Sequence, residues 1–307
     1  MKADNVTLLD FLAQNKTLFE IPVYQRNYEW GKIQCKQLFD DLVKALSSHN
    51  EHFIGTVVYV PESGSKMSHI EIIIDGQQRL TSCMLLLKAI SENEPTVKDD
   101  IEENFLTNKY VSLNDHIKLK PVEKDREAYQ AIINDHIDDY DRPSKIIENY
   151  KFFCNLVSDS KYSGQDLFDG MNYLNMVYIN LDGGMRAENP QVIFESLNST
   201  GVSLSSADLV RNFLLMGLDL EAQERLYKQY WLKIEKLFTN KILADFVRHY
   251  LIMKTNKLVK REDVYSTYKT FYANNNFTPE RALTDLYENA KFYDSLLNVT
   301  RVRLKTT

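Results

Sequence analysis

Cysteine is scarce in this sequence, and the three that occur form no Cys-x-x-Cys pair: Cys35, Cys83 and Cys154. An odd number of widely spaced cysteines, without an apolar leader, predicts reduced, mostly buried thiols in a cytoplasmic protein. Histidine is scarce as well, and the six histidines show none of the spacings that bind a transition metal. The sequence therefore argues against a disulfide scaffold and against a histidine-rich metal nuclease.

Glycine and proline are also few, with 10 and 7 residues among 307, which argues against long linkers and low-complexity segments. No apolar run reaches the length needed to cross a membrane, so no membrane partner is predicted. The formal net charge of −6 opposes nonspecific binding to polyanions. A nucleic-acid-binding protein of this composition needs a local basic patch.

The common nucleotide and hydrolase loops are missing too, because the sequence contains no GxxxxGK[ST], GxGxxG or GxSxG motif. What it does contain is a polar strand-to-helix junction. Residues 70–74 predict a buried strand, residues 80–90 repeat apolar side chains at helical spacing, and DGQQR at 75–79 lies between them. Helix N-termini attract anions, glycine permits close approach, and arginine binds phosphate oxygens. The junction is typical of a phosphate site, and equally of an ordinary turn with an N-cap.

A second polar segment, IPVYQRNYEW at residues 21–30, combines aromatic rings with Gln25 and Arg26. Rings beside arginine and glutamine can stack on a base and bind a phosphate, as they do in single-strand and flipped-base sites. The same composition fits aromatic residues that are partly buried in a core with their polar ends exposed. By itself, this segment leaves both interpretations open.

A third polar segment surrounds Asn198, whose amide lies beside a predicted turn and can contact a ligand. Downstream, Ser205 and Asp208 have the spacing of a capping box and predict the start of a helix. Arg211 and Asn212 follow one turn later, where they can reach an anion or face water.

The order of predicted elements indicates an α+β fold, with a small mixed sheet and flanking helices followed by a mostly α-helical region. We expect residues 1–95 to form the sheet core, joined by a strand at 173–181, and residues 96–307 to be mainly helical. Further strands are predicted at 19–24, 53–60 and 70–74. Helices are predicted at 5–14, 33–46, 80–90, 124–134, 144–158, 190–197, 207–218, 221–238, 241–253, 263–272 and 279–297.

Taken in order, IPVYQRNYEW, FIGTVVYV, IIDGQQRLT and FESLNSTGVSLSSADLVRN resemble the N-terminal domains of GmrSD-type restriction endonucleases. This family includes GmrS-like and SspE-like phage-defence proteins, and its core is similar to the ParB/sulfiredoxin fold. The resemblance covers most of residues 7–215. It implies binding and hydrolysis of a nucleoside triphosphate, with GTP preferred, and sensing of modified DNA. We expect the nucleotide state to gate a nuclease.

The resemblance, together with the chemistry of the segments, predicts the site residues. Asp75 is expected to hold Mg²⁺ or to orient the attacking water. The predicted catalytic residues are Asp75, Gln77, Gln78 and Arg79. The predicted nucleotide-binding residues are Gly76, Arg79, Tyr24, Gln25, Arg26 and Asn198. The residues predicted to sense DNA are Tyr24, Tyr28 and Trp30.

Two departures from the family pattern affect the expectations. Family members often carry Arg where this chain has Thr200, which removes a phosphate contact at that position. They usually continue into an HNH-type nuclease domain, but this chain has only His249 beyond residue 136. We therefore expect the nuclease in a missing domain or in a partner protein. The alternatives are a noncatalytic module that binds modified DNA, and a ParB-like fold that cleaves DNA itself.

Overall fold

The computed structural model describes residues 2–14, 16–62, 69–108, 116–181 and 204–305, without the side chains of 299–305. The chain divides into two compact units. We call residues 1–22 and 26–188 the sheet unit, and residues 23–25 and 189–307 the helical unit.

The sheet unit is organised around one mixed β-sheet. Its described strands are β1 (Lys2–Thr7), β2 (Thr17–Glu20), β3 (His52–Pro61), β4 (His69–Asp75), β5 (Leu119–Lys120) and β6 (Leu174–Asn180). Their order across the sheet is β1-β6-β3-β4-β2-β5. The β1–β6 and β3–β4 pairs are antiparallel, whereas β6–β3, β4–β2 and β2–β5 are parallel. The predicted mixed sheet is confirmed, and the strand predicted at 173–181 lies inside it, between β1 and β3.

The helices of the sheet unit pack mainly against one another, and the first two also contact the strands. They are α1 (Leu8–Leu12), α2 (Lys32–Ser48), α3 (Gln77–Asn93), α4 (Pro95–Ile101), α5 (Glu123–Ile133), α6 (Lys145–Ser158) and α7 (Gly164–Gly170). Short π-helical and 3₁₀ turns cover Glu102–Leu106, Ile137–Asp139 and Met171–Tyr173. Most side chains of α3 are buried, so this helix lies at the centre of the core.

The predicted helix at 5–14 is wrong for its first half. Residues Lys2–Thr7 form β1 and pair with β6, and α1 covers only Leu8–Leu12. Thr7 caps this helix, because its side chain accepts a hydrogen bond from the Asp10 backbone N–H at 3.1 Å. The pairing with β6 therefore favours a strand at residues 2–7, although the amphipathic pattern of this segment predicts a helix.

The centre of α3 carries a buried lysine. Lys88 has no exposed side-chain surface, and its ammonium lies 2.8 Å from Glu92, 2.7 Å from Glu102 and 2.7 Å from Asp135. A buried charge is tolerated only when it is paired and hydrogen-bonded. The three carboxylates satisfy this requirement. They connect the end of α3 to the π-helical turn Glu102–Leu106 and to the residues just after α5.

The helical unit contains the remaining described helices. They are α8 (Ser206–Leu215), α9 (Leu220–Leu226), α10 (Leu232–Leu237), α11 (Asn240–Thr255), α12 (Val264–Asn274) and α13 (Pro279–Lys305). A π-helical turn, Tyr227–Trp231, lies between α9 and α10, where one continuous helix was predicted. The helix predicted at 190–197 lies outside the described residues. In the part of the chain that the structure describes, no helix has the length and apolarity needed to span a bilayer.

A carboxyl group lies within the sheet of the sheet unit. Glu71 of β4 is only 9% exposed and lies beside Phe19 of β2 and Pro61 of β3. One of its carboxyl oxygens has no hydrogen-bond partner among the described residues. Burial raises its pKa to about 7. Burial, reinforced by the charge of Glu71, raises the pKa of Tyr59 to about 12.

We predict that Glu71 makes the folded state less stable as the pH rises. In the unfolded chain its pKa is 4.5. Between pH 4.5 and 7 the folded state therefore keeps a proton that the unfolded state has lost. The stability that this proton contributes is lost as the pH rises through 7. At pH 8, Glu71→Gln should unfold at higher denaturant concentration, with a gain of about 1–3 kcal/mol.

The measurement is urea unfolding followed by circular dichroism for both proteins between pH 5 and 8. The difference between variant and wild type isolates Glu71 from other titrating groups. A difference that does not grow with pH would contradict the prediction.

Candidate functional site

The strand-to-helix junction predicted from DGQQR is present, since β4 ends at Asp75 and α3 begins at Gln77. Gly76 connects them in the left-handed conformation, with φ of 90°. A Cβ at this position would lie 2.8 Å from the Thr56 carbonyl oxygen and 2.8 Å from a methyl carbon of Val57. Position 76 therefore requires glycine for two reasons: its left-handed backbone angle and its close approach to β3.

Arg79 extends from the first turn of α3 across β3. Its Nη1 donates a hydrogen bond to the Thr56 carbonyl oxygen at 3.1 Å. Gly55, with φ of 115°, leaves room for the guanidinium, because a Cβ there would lie 2.5 Å from the Arg79 Cζ. The pairing of β3 with β6 shifts register between Phe53 and Gly55. The sequence analysis missed Gly55, although a glycine inside an apolar strand is a signal for a bulge or a close approach.

The carboxyl group of Asp75 is influenced by the charges of two arginines. Burial raises the pKa of its carboxyl group, and this shift is opposed by a hydrogen bond from the Gly76 backbone N–H and by the charges of Arg79 and Arg26. Arg26 comes from the YQR segment and Arg79 from DGQQR. The charges of two motifs that are about fifty positions apart in the sequence thus act on one carboxyl group.

The side chain of Gln78 holds the aromatic segment of residues 27–30. Its Oε1 accepts hydrogen bonds from the backbone N–H groups of Glu29 at 2.7 Å and Trp30 at 3.1 Å. Its Nε2 donates to the carbonyl oxygen of Asn27 at 3.1 Å. Gln77 is buried as well. The second glutamine of DGQQR therefore connects α3 directly to the segment that follows YQR.

Tyr28, predicted to sense DNA, is buried in the sheet unit. Its hydroxyl lies 2.5 Å from the Ser82 hydroxyl and accepts from the Asn149 amide at 3.3 Å. Its backbone N–H donates to Asp125 at 2.6 Å, and burial raises the pKa of that carboxyl group to about 6. In this conformation the Tyr28 ring is not open to a base, whereas Trp30 is half-buried. Asp125 was missed because an acid in the first turn of a helix is ordinary.

Tyr24 and Gln25 belong to the helical unit, and both are buried. The Tyr24 carbonyl oxygen accepts a hydrogen bond from Arg211 Nε at 2.7 Å. Arg211 is itself buried between Asp208 at 2.9 Å and Glu235 at 2.5 Å. Arg211 thus neither faces water nor is available to an anion, the two roles considered from sequence.

The helix N-terminus predicted from Ser205 and Asp208 is confirmed. The Ser205 hydroxyl accepts from the Asp208 N–H at 3.2 Å, and the Asp208 carboxylate accepts from the Ser205 N–H at 3.1 Å. Asn198, predicted to bind nucleotide, lies outside the described residues, as does Thr200.

Among the residues that the structure describes, the predicted Mg²⁺ ligand Asp75 is not part of an acidic cluster. Within the described ranges, the acids close enough to share an ion are Glu92, Glu102 and Asp135, and the Lys88 ammonium already lies among them. A Mg²⁺ ion beside Asp75 fits the preference of this ion for one carboxylate combined with phosphate oxygens and water.

The family profile of the GmrSD restriction endonuclease N-terminal domain matches residues 8–215. This match covers about two thirds of the chain and includes all predicted site residues and β2 to β6. Among curated proteins, none matches this chain.

We predict that Gly55→Ala destabilises the protein by about 1–3 kcal/mol. The backbone at residue 55 is left-handed, which strains any residue with a Cβ, and the new Cβ displaces the Arg79 guanidinium. Chemical unfolding measures the effect. Gly217→Ala is the matched control, since a Cβ there meets no atom within 4 Å, and its effect should stay within about 0.5 kcal/mol. Equal effects of the two substitutions would contradict the arrangement of Arg79 over Gly55.

We further predict that Gln78→Leu loosens residues 27–30. The variant leaves two backbone N–H groups without their acceptor, at a cost of about 1–3 kcal/mol. Hydrogen exchange at the amides of Glu29 and Trp30 should accelerate at least tenfold, which corresponds to about 1.4 kcal/mol.

The control is Gln37→Leu, which removes an exposed amide that donates to Asp41 on α2. It should leave the exchange of the Glu29 and Trp30 amides unchanged. Unaltered exchange in Gln78→Leu would show that this side chain does not hold the segment.

Proposed function

This chain belongs to the family of GmrSD restriction endonuclease N-terminal domains, and we propose that it binds and hydrolyses a nucleoside triphosphate at the Asp75–Arg79 turn. GTP is the proposed preferred substrate. In this proposal the protein senses modified DNA and its nucleotide state gates a nuclease located in a partner protein or in another domain.

The observation that carries the proposal is that the charges of Arg79 and Arg26 both act on the carboxyl group of Asp75 at the start of α3. The first backbone N–H groups of a helix have no acceptor within the helix, and the N-cap residue of α3 is Gly76, which has no side chain to accept from them. Two guanidinium groups and these N–H groups offer several donors to the oxygens of a polyphosphate. The left-handed Gly76 lets such a ligand approach the backbone.

Arg79 is the proposed electrostatic catalyst. Its Nη1 is fixed on the Thr56 carbonyl oxygen, and the remaining N–H groups of a guanidinium can still donate to phosphate. A fixed cation stabilises the charge that develops on the transferred phosphoryl group without reorganising during the reaction. Asp75, in its ionised form, would position the attacking water or hold Mg²⁺, which would supply positive charge to the phosphate groups.

The two glutamines have different proposed roles. Gln77 orients the attacking water, whereas Gln78 transmits the state of the turn to residues 27–30 through its three hydrogen bonds. A movement of α3 by less than a hydrogen-bond length breaks these bonds. Nucleotide binding and the exposure of Trp30 and Tyr28 to DNA would thereby depend on each other.

We expect Arg79→Ala to lower kcat for hydrolysis by about 10²–10³-fold while the protein stays folded. Phosphate release is measured from GTP, ATP and CTP with Mg²⁺, with and without DNA. Arg142→Ala is the matched control, because Arg142 forms an exposed ion pair with Glu127 in the same unit. Its activity should equal that of the wild type.

Hydrolysis that survives in Arg79→Ala would remove Arg79 from catalysis. If the wild type releases no phosphate with any nucleotide, with or without DNA, the proposed hydrolysis fails. Salt-dependent DNA binding under those conditions would favour the noncatalytic binding module.

A further inference from the structure

A cavity of about 260 Å³ lies in the sheet unit, between α5 and the edge of the sheet that β2 and β5 form. Its lining includes the apolar residues Leu18 and Ile70 and the polar residues Glu20, Lys120, Arg126 and Gln130. Ile70 lies near the start of β4, whereas the proposed nucleotide site begins at Asp75, the last residue of that strand. Five residues of a strand span about 17 Å. The cavity is therefore separate from the proposed nucleotide site.

Two of the three charged residues that line the cavity neutralise each other. The Lys120 ammonium lies 2.9 Å from the Glu20 carboxylate. The third charged residue, Arg126, forms no ion pair with any residue that the structure describes. The lining of the cavity therefore carries one positive charge in excess.

The described acids of α5 have other partners or are exposed. Asp125 accepts a hydrogen bond from the backbone of the 27–30 segment, and Glu127 is paired with Arg142. The exposed side chains of Glu123 and Lys124 carry opposite charges. The helix that carries Arg126 therefore does not neutralise it.

One further acid lies near the opposite wall. Glu62 interacts with the charges of Glu20 and Lys120 but does not line the cavity. Its side chain is exposed, so water and salt weaken its attraction for Arg126. Glu62 therefore offsets only part of the positive charge inside the cavity.

Part of the Arg126 guanidinium is buried. Its Nε is shielded from solvent and has no hydrogen-bond partner among the described residues. Burial of a charged donor without a partner is unfavourable. A carboxylate in the cavity would remove this cost, because it can accept two parallel hydrogen bonds from a guanidinium. Gln130 follows one helical turn later on α5 and adds an amide to the same wall.

We propose that this cavity binds a small molecule that carries one carboxylate on an apolar body. Arg126 binds the carboxylate, Gln130 donates a further hydrogen bond to it, and Leu18 and Ile70 contact the apolar body. The proposal does not depend on nucleotide hydrolysis, because the cavity and the Asp75–Arg79 turn lie at opposite ends of β4.

The charges of the cavity favour a carboxylate over a phosphate. The single unpaired guanidinium neutralises the one negative charge of a carboxylate. A phosphate monoester carries about 1.5 to 2 negative charges at pH 7, and the Glu20 carboxylate in the same lining repels the excess. A nucleoside triphosphate, with more charge, is excluded more strongly.

The test measures binding of benzoate, phenylacetate and cinnamate to the full chain by isothermal titration calorimetry. At least one of them should bind with a Kd of about 1 mM or lower, as expected for ligands of this size. Arg126→Gln should weaken this binding at least about tenfold. Arg142→Gln is the matched control, because it removes an exposed arginine of the same unit, and its affinity should stay within about twofold of the wild type.

Two further comparisons locate the ligand and test its charge. Leu18→Trp adds bulk to the partly exposed apolar wall without changing any charge, and it should abolish binding. The neutral amide of the same ligand should bind the wild type at least about tenfold more weakly than the carboxylate. This comparison decides the matter even if a variant fails to fold, which thermal melting detects.

A wild type that binds none of the three carboxylates at about 10 mM would overturn the proposal, as would equal affinity of the wild type and a folded Arg126→Gln. Tighter binding of phenyl phosphate than of benzoate would also contradict it. GTP should not displace the carboxylate, and displacement would assign the ligand to the nucleotide site instead. Carboxylate binding without any phosphate release from GTP would refute the proposed hydrolysis and leave the cavity supported.

Discussion

The close approach of the β4–α3 turn to β3 is the constraint on which the candidate site depends. Gly76 lies so near to the Thr56 carbonyl oxygen that no side chain fits between them. The same carbonyl oxygen accepts the hydrogen bond of Arg79. One backbone group thus sets both the start of α3 and the position of its arginine. Thr56 is paired with Val177 of β6, so the strand that carries this carbonyl oxygen is held in place by its neighbour in the sheet.

Buried polar groups hold the parts of each unit together. In the sheet unit, Lys118 has little exposed surface and donates to the carbonyl oxygens of Leu12 at 2.7 Å and Asn104 at 2.6 Å. Burial lowers its pKa to about 8, because the charged ammonium loses its hydration. In the helical unit, Arg211 links α8, α10 and the Tyr24 carbonyl oxygen. Each of these cations joins segments that are distant in sequence, so the loss of one loosens several elements at once.

Much of the fold and the centre of the site could be predicted from the sequence. The change from a continuous apolar run to helical spacing located the turn at 75–79, and the spacing of Ser205 and Asp208 located the start of α8. β5 escaped prediction because it has only two residues, Leu119–Lys120, and pairs with β2 alone. The residue pattern within a short stretch of sequence does not show which distant strand a two-residue strand pairs with.

The partners of the site residues also depend on distant parts of the chain. Asp125 accepts from the backbone of Tyr28, which is 97 residues away, and Gln78 contacts residues about fifty positions earlier. The sequence predicts that Gln78 lies at a helix start but not that its amide is occupied by the 27–30 backbone. Composition likewise predicted aromatic residues beside Arg26, while the burial of Tyr28 follows from α3, α5 and α6 closing around it.

The membership of Val23–Gln25 in the helical unit affects how such proteins can diversify. Three residues from the first tenth of the chain complete a unit whose other residues begin at 189, and Arg211 holds the Tyr24 carbonyl oxygen. The two units are therefore not consecutive modules that recombination can exchange at a single crossover. If residues 189–307 were replaced by those of a relative, residues 23–25 of the same unit would still come from the original protein. Exchange between relatives is then restricted to pairs whose YQR segments are already compatible, and the halves are expected to evolve together.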